Sequence, residues 1–150
     1  ITRPPEEDQD QLQQGINAMR ELGKVLDETN PDIVLLVGID HLETYFLDAV
    51  PTFALVTGEW TRAAFAQTHH QVPSHQPMAK ALLEGLIGEG FDMTFSEEAL
   101  LGHAFSTPLE YLHEGRNIPV VPLMVNVYLP PLPTPLDGEA AQSCRTGPKL

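Results

Sequence analysis

Basic residues are scarce in this chain. Eight lysines and arginines face 21 aspartates and glutamates across 150 residues, a formal net charge of −13. A surface of that sign repels phosphate backbones and anionic headgroups, so neither nucleic-acid binding nor a peripheral seat on an acidic membrane is expected. Cysteine is nearly absent. Cys144 stands alone, so the chain can close no intramolecular disulfide and build no thiolate zinc site, which suits the cytoplasm. No apolar run reaches the roughly 18 residues needed to span a bilayer. The opening Ile1-Thr2-Arg3-Pro4-Pro5 lacks the apolar core of a signal peptide. Also missing are a glycine-rich phosphate loop and the Gly-x-Ser-x-Gly elbow, which leaves a Ser-His-Asp hydrolase poorly supported.

What is present is an ordinary globular composition, 42% apolar, at the length of about one domain. Because the chain starts on Ile1 and not on Met, it is expected to be processed or to be part of a longer protein. Leu12, Ile16, Met19, Leu22, Val25 and Leu26 recur at three- and four-residue steps and predict a helix closed by Asn30-Pro31. Ile33 to Val37 is a β-rich run apolar on both faces, which predicts a strand in the middle of a covered sheet. Thr52 to Thr57 predicts a second strand. Gly58 to Gln76 reads as a long polar connection, and Pro77 as the opening of a helix that ends near Gly88 and Gly90. Phe91 to Phe95 predicts a strand, Ser96-Glu97-Glu98 a helix start, Pro108 a short helix running to His113, and Val120 to Val127 a last strand. The expected fold is α/β, with helices covering a central sheet that is mixed or mostly parallel. The first two strands are too close for a helical crossover. Residues 1–135 form the expected domain and 136–150 a polar tail.

Six histidines beside one cysteine and many carboxylates point to nitrogen and oxygen metal chemistry. His41 follows a buried strand and Asp40, where ligand sites of open α/β sheets lie. It reads either as a metal ligand or as a loop histidine with local hydrogen bonds. Asp40 could orient it or a neighbouring backbone. His103, in Gly-His-Ala-Phe, reads as a proton-handling group or as a turn-capping imidazole. His69, His70 and His75 crowd one loop, but at a spacing that matches neither the HExxH pattern nor a zinc finger. A zinc hydrolase built on them is the weakest reading. His113 is expected to be structural, at a helix end.

Pro31 to Phe46, with its strand ending in Asp40-His41 and its following aromatics, resembles a segment of the class III extradiol ring-cleaving dioxygenases, the protocatechuate 4,5-dioxygenase type. Pro51-Thr52-Phe53-Ala54, Val72 to Ala79, Gly90 to Thr94, Gly102 to Leu109, and Ile118 to Val127 with Pro130 to Pro135 resemble later parts of that family in the same order. The resemblance runs over roughly residues 16–135. It implies cleavage of a catecholic ring by O2 at an iron(II) held by two histidines and a glutamate, a facial triad that leaves sites open for diol and O2. His41 corresponds to one iron ligand. His103 corresponds to the acid/base histidine of an Asp-His-Gly…Pro-Leu motif, here Gly102-His103-Ala104. The family's other ligand histidine lies in a Ser-His-x-Pro segment ahead of the first helix, and its glutamate beyond the proline turn. Here Ser74-His75-Gln76-Pro77 has the first pattern at another place, and Glu139 is no convincing counterpart of the second. The alternative expectation is therefore a non-catalytic relative, a subunit or interaction protein with an incomplete metal site. Homo- or hetero-oligomers are implied by the resemblance alone.

Overall fold

In the computed structural model, which describes residues 8–133, the first helix starts and stops for local reasons. Helix α1, Gln9–Thr29, opens where the Asp8 carboxylate accepts the Gln11 N–H at 3.0 Å, and closes where Asn30 turns left-handed at φ 43°. There the Asn30 N–H bonds the Leu26 and Asp27 carbonyls, and Pro31 cannot continue the helix. Strands β1 (Val34–Ile39), β2 (Phe53–Val56), β5 (Met93–Ser96) and β7 (Val120–Val125) form one sheet in the order β1-β7-β2-β5. Strands β1 and β7 are parallel, β2 and β7 antiparallel, and β2 and β5 parallel, so the sheet is mixed. A second sheet, β4-β3-β6, contains β3 (Trp60–Phe65), β4 (Thr68–Pro73) and β6 (Leu100–Leu101). Helices α2 (Gln76–Gly88) and α3 (His103–Tyr111) complete the α/β arrangement.

The two faces of the first sheet follow the period of two along its strands. Ala54, Val56, Val120 and Met124 point one way, into a core shared with Ala63 and Leu101 of the second sheet and with Phe105 and Leu109 of α3. Leu55 and Val121 point the other way, beneath Ala79, Leu82, Leu83 and Leu86 of α2. Gly38 belongs to the first face. A Cβ there would lie 2.8 Å from the Phe105 ring, so its bare backbone lets α3 come close to the end of β1.

Four expectations need correction. Strand β1 lies at the edge of its sheet, with Leu35 and Val37 52% and 56% exposed; the middle belongs to β7 and β2. An apolar run cannot by itself tell an edge from a centre. The 58–76 connection is largely a β-hairpin, β3 to β4, turning at Ala66 with φ 53°. Its inward residues, Thr61 and Ala63, are small and half polar, and its turn carries no glycine or asparagine to announce it. Ser96-Glu97-Glu98 starts no helix and leads instead to β6. Finally, α3 opens at His103, and Pro108 lies inside it. The Gly102 carbonyl and a distant carboxylate accept the first N–H groups, which lets the helix begin early despite the proline. The tail at 136–150, with Glu139 and Cys144, lies outside the described residues.

Candidate active site

The carboxyl end of β1 runs into a turn tied by Asp40. Its carboxylate accepts N–H groups from Glu43 at 3.1 Å, Thr44 at 3.0 Å and Tyr45 at 2.7 Å. Asp40 therefore orients backbone and not the His41 ring. The Thr44 hydroxyl donates to the Leu100 carbonyl at 3.0 Å, anchoring the turn against β6. His41 and Glu43 project from this anchored turn toward the start of α3.

There the two predicted histidines meet. The rings of His41 and His103 lie 4.2 Å apart, centroid to centroid, tilted by 34°. Each has a partner at Nδ1. The Tyr128 hydroxyl is 2.8 Å from Nδ1 of His41. Both oxygens of Glu43 are 2.9 Å from Nδ1 of His103, and Oε2 also accepts the His103 backbone N–H at 2.8 Å. Among the described residues neither Nε2 has a hydrogen-bond partner. Phe65, from the tip of the hairpin, places its ring 4.9 Å from that of His103. Tyr128 is held by a turn in which the Asn126 amide oxygen accepts the Tyr128 and Leu129 N–H groups, both at 3.1 Å.

Electrostatics follow from these contacts. Burial pushes the Glu43 carboxyl up, but the ring and backbone hydrogen bonds from His103, with the positive fields of His103 and His41, outweigh it and hold Glu43 below the usual range. Burial, helped by the Asp40 charge, pushes the Tyr45 phenol up. That hydroxyl is buried without a partner among the described residues, beside a small cleft shared with Asp40, Leu42, Asn126 and Tyr128.

The other histidines do not join the pair. His69 and His70 are neighbours on β4 and point to opposite faces, one exposed and one half-buried. His75 caps α2, its Nδ1 accepting the Met78 N–H at 3.1 Å. The loop cluster is thereby undone as a ligand set. His113 is buried, with Nε2 2.7 Å from the Ile118 carbonyl, a structural bond as expected of it. Among the described residues no group of three or more His, Cys, Asp or Glu is placed to hold a metal ion. The iron(II) centre implied by the resemblance is thus not complete within them. Sequence reasoning missed Glu43 and Tyr128. Both touch a histidine far away in the chain, and only the smallness of Gly102 hinted at a close neighbour.

Residues 1–138 match the family model described as the catalytic LigB subunit of aromatic ring-opening dioxygenase. Among similar proteins, a 2,3-dihydroxyphenylpropionate/2,3-dihydroxicinnamic acid 1,2-dioxygenase of Klebsiella pneumoniae subsp. pneumoniae is 33% identical over 118 residues, 75% of this chain and 38% of the relative. A protein of the same description from Pseudomonas putida is 30% identical over 127 residues, 84% of this chain and 40% of the relative. One from Escherichia coli K12 is 30% identical over 136 residues, 78% and 43%. The chain thus spans about two-fifths of the length of the curated relatives it matches.

Proposed function

The chain belongs to the LigB family of aromatic ring-opening dioxygenases, and from that premise we propose that it supplies part of an extradiol active site: His41 as one ligand of iron(II) and His103 as the acid/base group. The observation that carries this reading is the meeting of the two rings at 4.2 Å, brought together from the end of β1 and the start of α3. In the tautomer whose Nδ1–H donates to the Tyr128 oxygen, His41 Nε2 would keep its lone pair for a metal, the usual arrangement of a metal-binding imidazole. The remaining ligands would come from outside the described residues. Bound there, iron(II) would supply the electron path between a diol and O2.

His103 Nε2 would take a hydroxyl proton from the catecholic substrate and return one as the ring opens. Phe65 and Tyr128 offer aromatic walls beside the two imidazoles. The names of the relatives favour a catechol whose carboxylated side chain is adjacent to the diol, such as 2,3-dihydroxyphenylpropionate. No helix among the described residues is long and apolar enough to cross a membrane, and a cytoplasmic setting is part of the same proposal. The test is anaerobic reconstitution of the full-length protein with iron(II), then ring cleavage followed by absorbance. Stoichiometric iron and ring opening are expected, with iron lost in H41A. Tight iron retained by H41A would refute the ligand assignment. A second reading, a non-catalytic subunit, is favoured by the incomplete ligand set. It predicts neither iron uptake nor ring opening by the full-length protein.

A further inference from the structure

Glu43 contacts His103 three times. One contact, to the backbone N–H, would suffice to cap α3, whose own N-cap residue, Gly102, offers no side chain. The other two run to the ring, Nδ1 to Oε1 and to Oε2. An ionised carboxylate only accepts hydrogen bonds, so Nδ1 must carry a proton, and in the neutral ring Nε2 is left bare as the reacting nitrogen. Space for this carboxylate exists because residue 102 has no Cβ: one built there would lie 1.8 Å from Glu43 Oε2. The Gly102 φ of −82° is open to any residue, so backbone freedom does not call for glycine here; the space taken by Glu43 does.

We propose that Glu43 is the positioning residue of His103, fixing its tautomer and ring orientation through the gap left by Gly102. This deepens the reading of His103 as the acid/base group and rests on it. The carboxylate reaches the ring from the turn that also carries His41. One short loop thus sets the ligand histidine and the orientation of the proton-handling histidine together. A carboxylate behind an imidazole stabilises the charge that the ring acquires as Nε2 takes up a proton.

The tautomer can be read without turnover, from the ¹⁵N resonances of the His103 ring in the metal-free full-length protein, at a pH where the ring is neutral. The wild type is expected as the Nδ1–H form. E43A is expected to revert toward the Nε2–H form that the histidine side chain prefers in water, and E43Q to keep Nδ1–H because its amide oxygen still accepts. G102A is expected to mimic E43A by displacing the carboxylate, and the E43A/G102A double variant to be no worse than E43A alone. Nδ1–H persisting in E43A would overturn the proposal, as would losses that add in full in the double variant. In the iron-loaded protein, E43A is expected to lower kcat about 100-fold, the low end of what positioned proton transfer contributes, with little change in KM. E43Q is expected to recover part of that loss. A fall confined to KM would also overturn the proposal. Wild-type protein that shows the Nδ1–H form but opens no ring would refute the dioxygenase reading and leave the Glu43 assignment standing.

Discussion

Two histidine-bearing regions of this molecule contrast. The hairpin region holds His69, His70 and His75 within seven positions of the chain and, among the described residues, assembles no metal-binding group from them. The meeting of β1 and α3 holds one histidine from each of two distant segments and stacks them at 4.2 Å. Nearness in the chain works against a shared site on a strand, because successive side chains point to opposite faces. Distance in the chain works for it when a glycine in β1, a turn tied by Asp40 and a helix start capped from outside bring two backbones together. Counting histidines per window would have chosen the region whose histidines point apart.

The contrast can be broken most severely at the stacked pair. H103A is expected to lower ring-opening turnover by roughly 100- to 10,000-fold, the range for losing a positioned acid/base group, measured under iron-saturated conditions. Full activity in H103A would place proton transfer elsewhere. Next, F105A removes the buried ring against which Gly38 packs. A loss of about 3–5 kcal/mol in denaturant unfolding is expected, because a cavity opens between β1 and α3. Both histidines should lose their fixed relation before the fold is lost.

Acidification sharpens the comparison from the hairpin side. Burial lowers the His70 pKa, the Glu110 carboxylate offsets part of this, and His113 and His69 add to the lowering. The unfolded chain therefore takes a proton there that the folded chain resists. Stability should be full above the ordinary value near 6.5 and should decline as pH falls through it. Thermal melts of wild type and H70Q across that window should diverge in slope, with H70Q the flatter. Parallel curves would mean that His70 bears its proton freely. The smallest effect is expected from H69A on the exposed face: within about 0.5 kcal/mol in stability and no change in iron or turnover.

Much of the scaffold was legible in the residues. The 3.6-residue stripe and Asn30-Pro31 marked α1 and its end, and β-rich runs marked β1, β2 and β7 to within a few positions. His41 and His103 stood out through their place beside those elements and through the family resemblance. The hairpin was obscured because Thr61 and Ala63 are buried without being strongly apolar, and because Ala66 takes a left-handed turn that its residue type does not advertise. The early start of α3 was hidden because its cap comes from Glu43, far back in the chain. Nothing in the local pattern around Glu43 pointed to a partner 60 residues away. Tertiary partners are what local patterns cannot carry, and both the helix start and the orientation of His103 depend on one.

The edge position of β1 has a consequence for how firmly His41 is held. The Val34 N–H bonds the carbonyl of Pro119 on the β7 side, so by alternation the amides of Leu36 and Gly38 also face β7. Those of Leu35, Val37 and Ile39 face the open edge, where no strand pairs among the described residues. In deuterated solvent the two sets should exchange at very different rates, one protected and one fast, along a single strand six residues long. The histidine at its end is therefore moored along one side only. Whatever lies along the other edge in the full-length protein would appear as the silencing of every second amide.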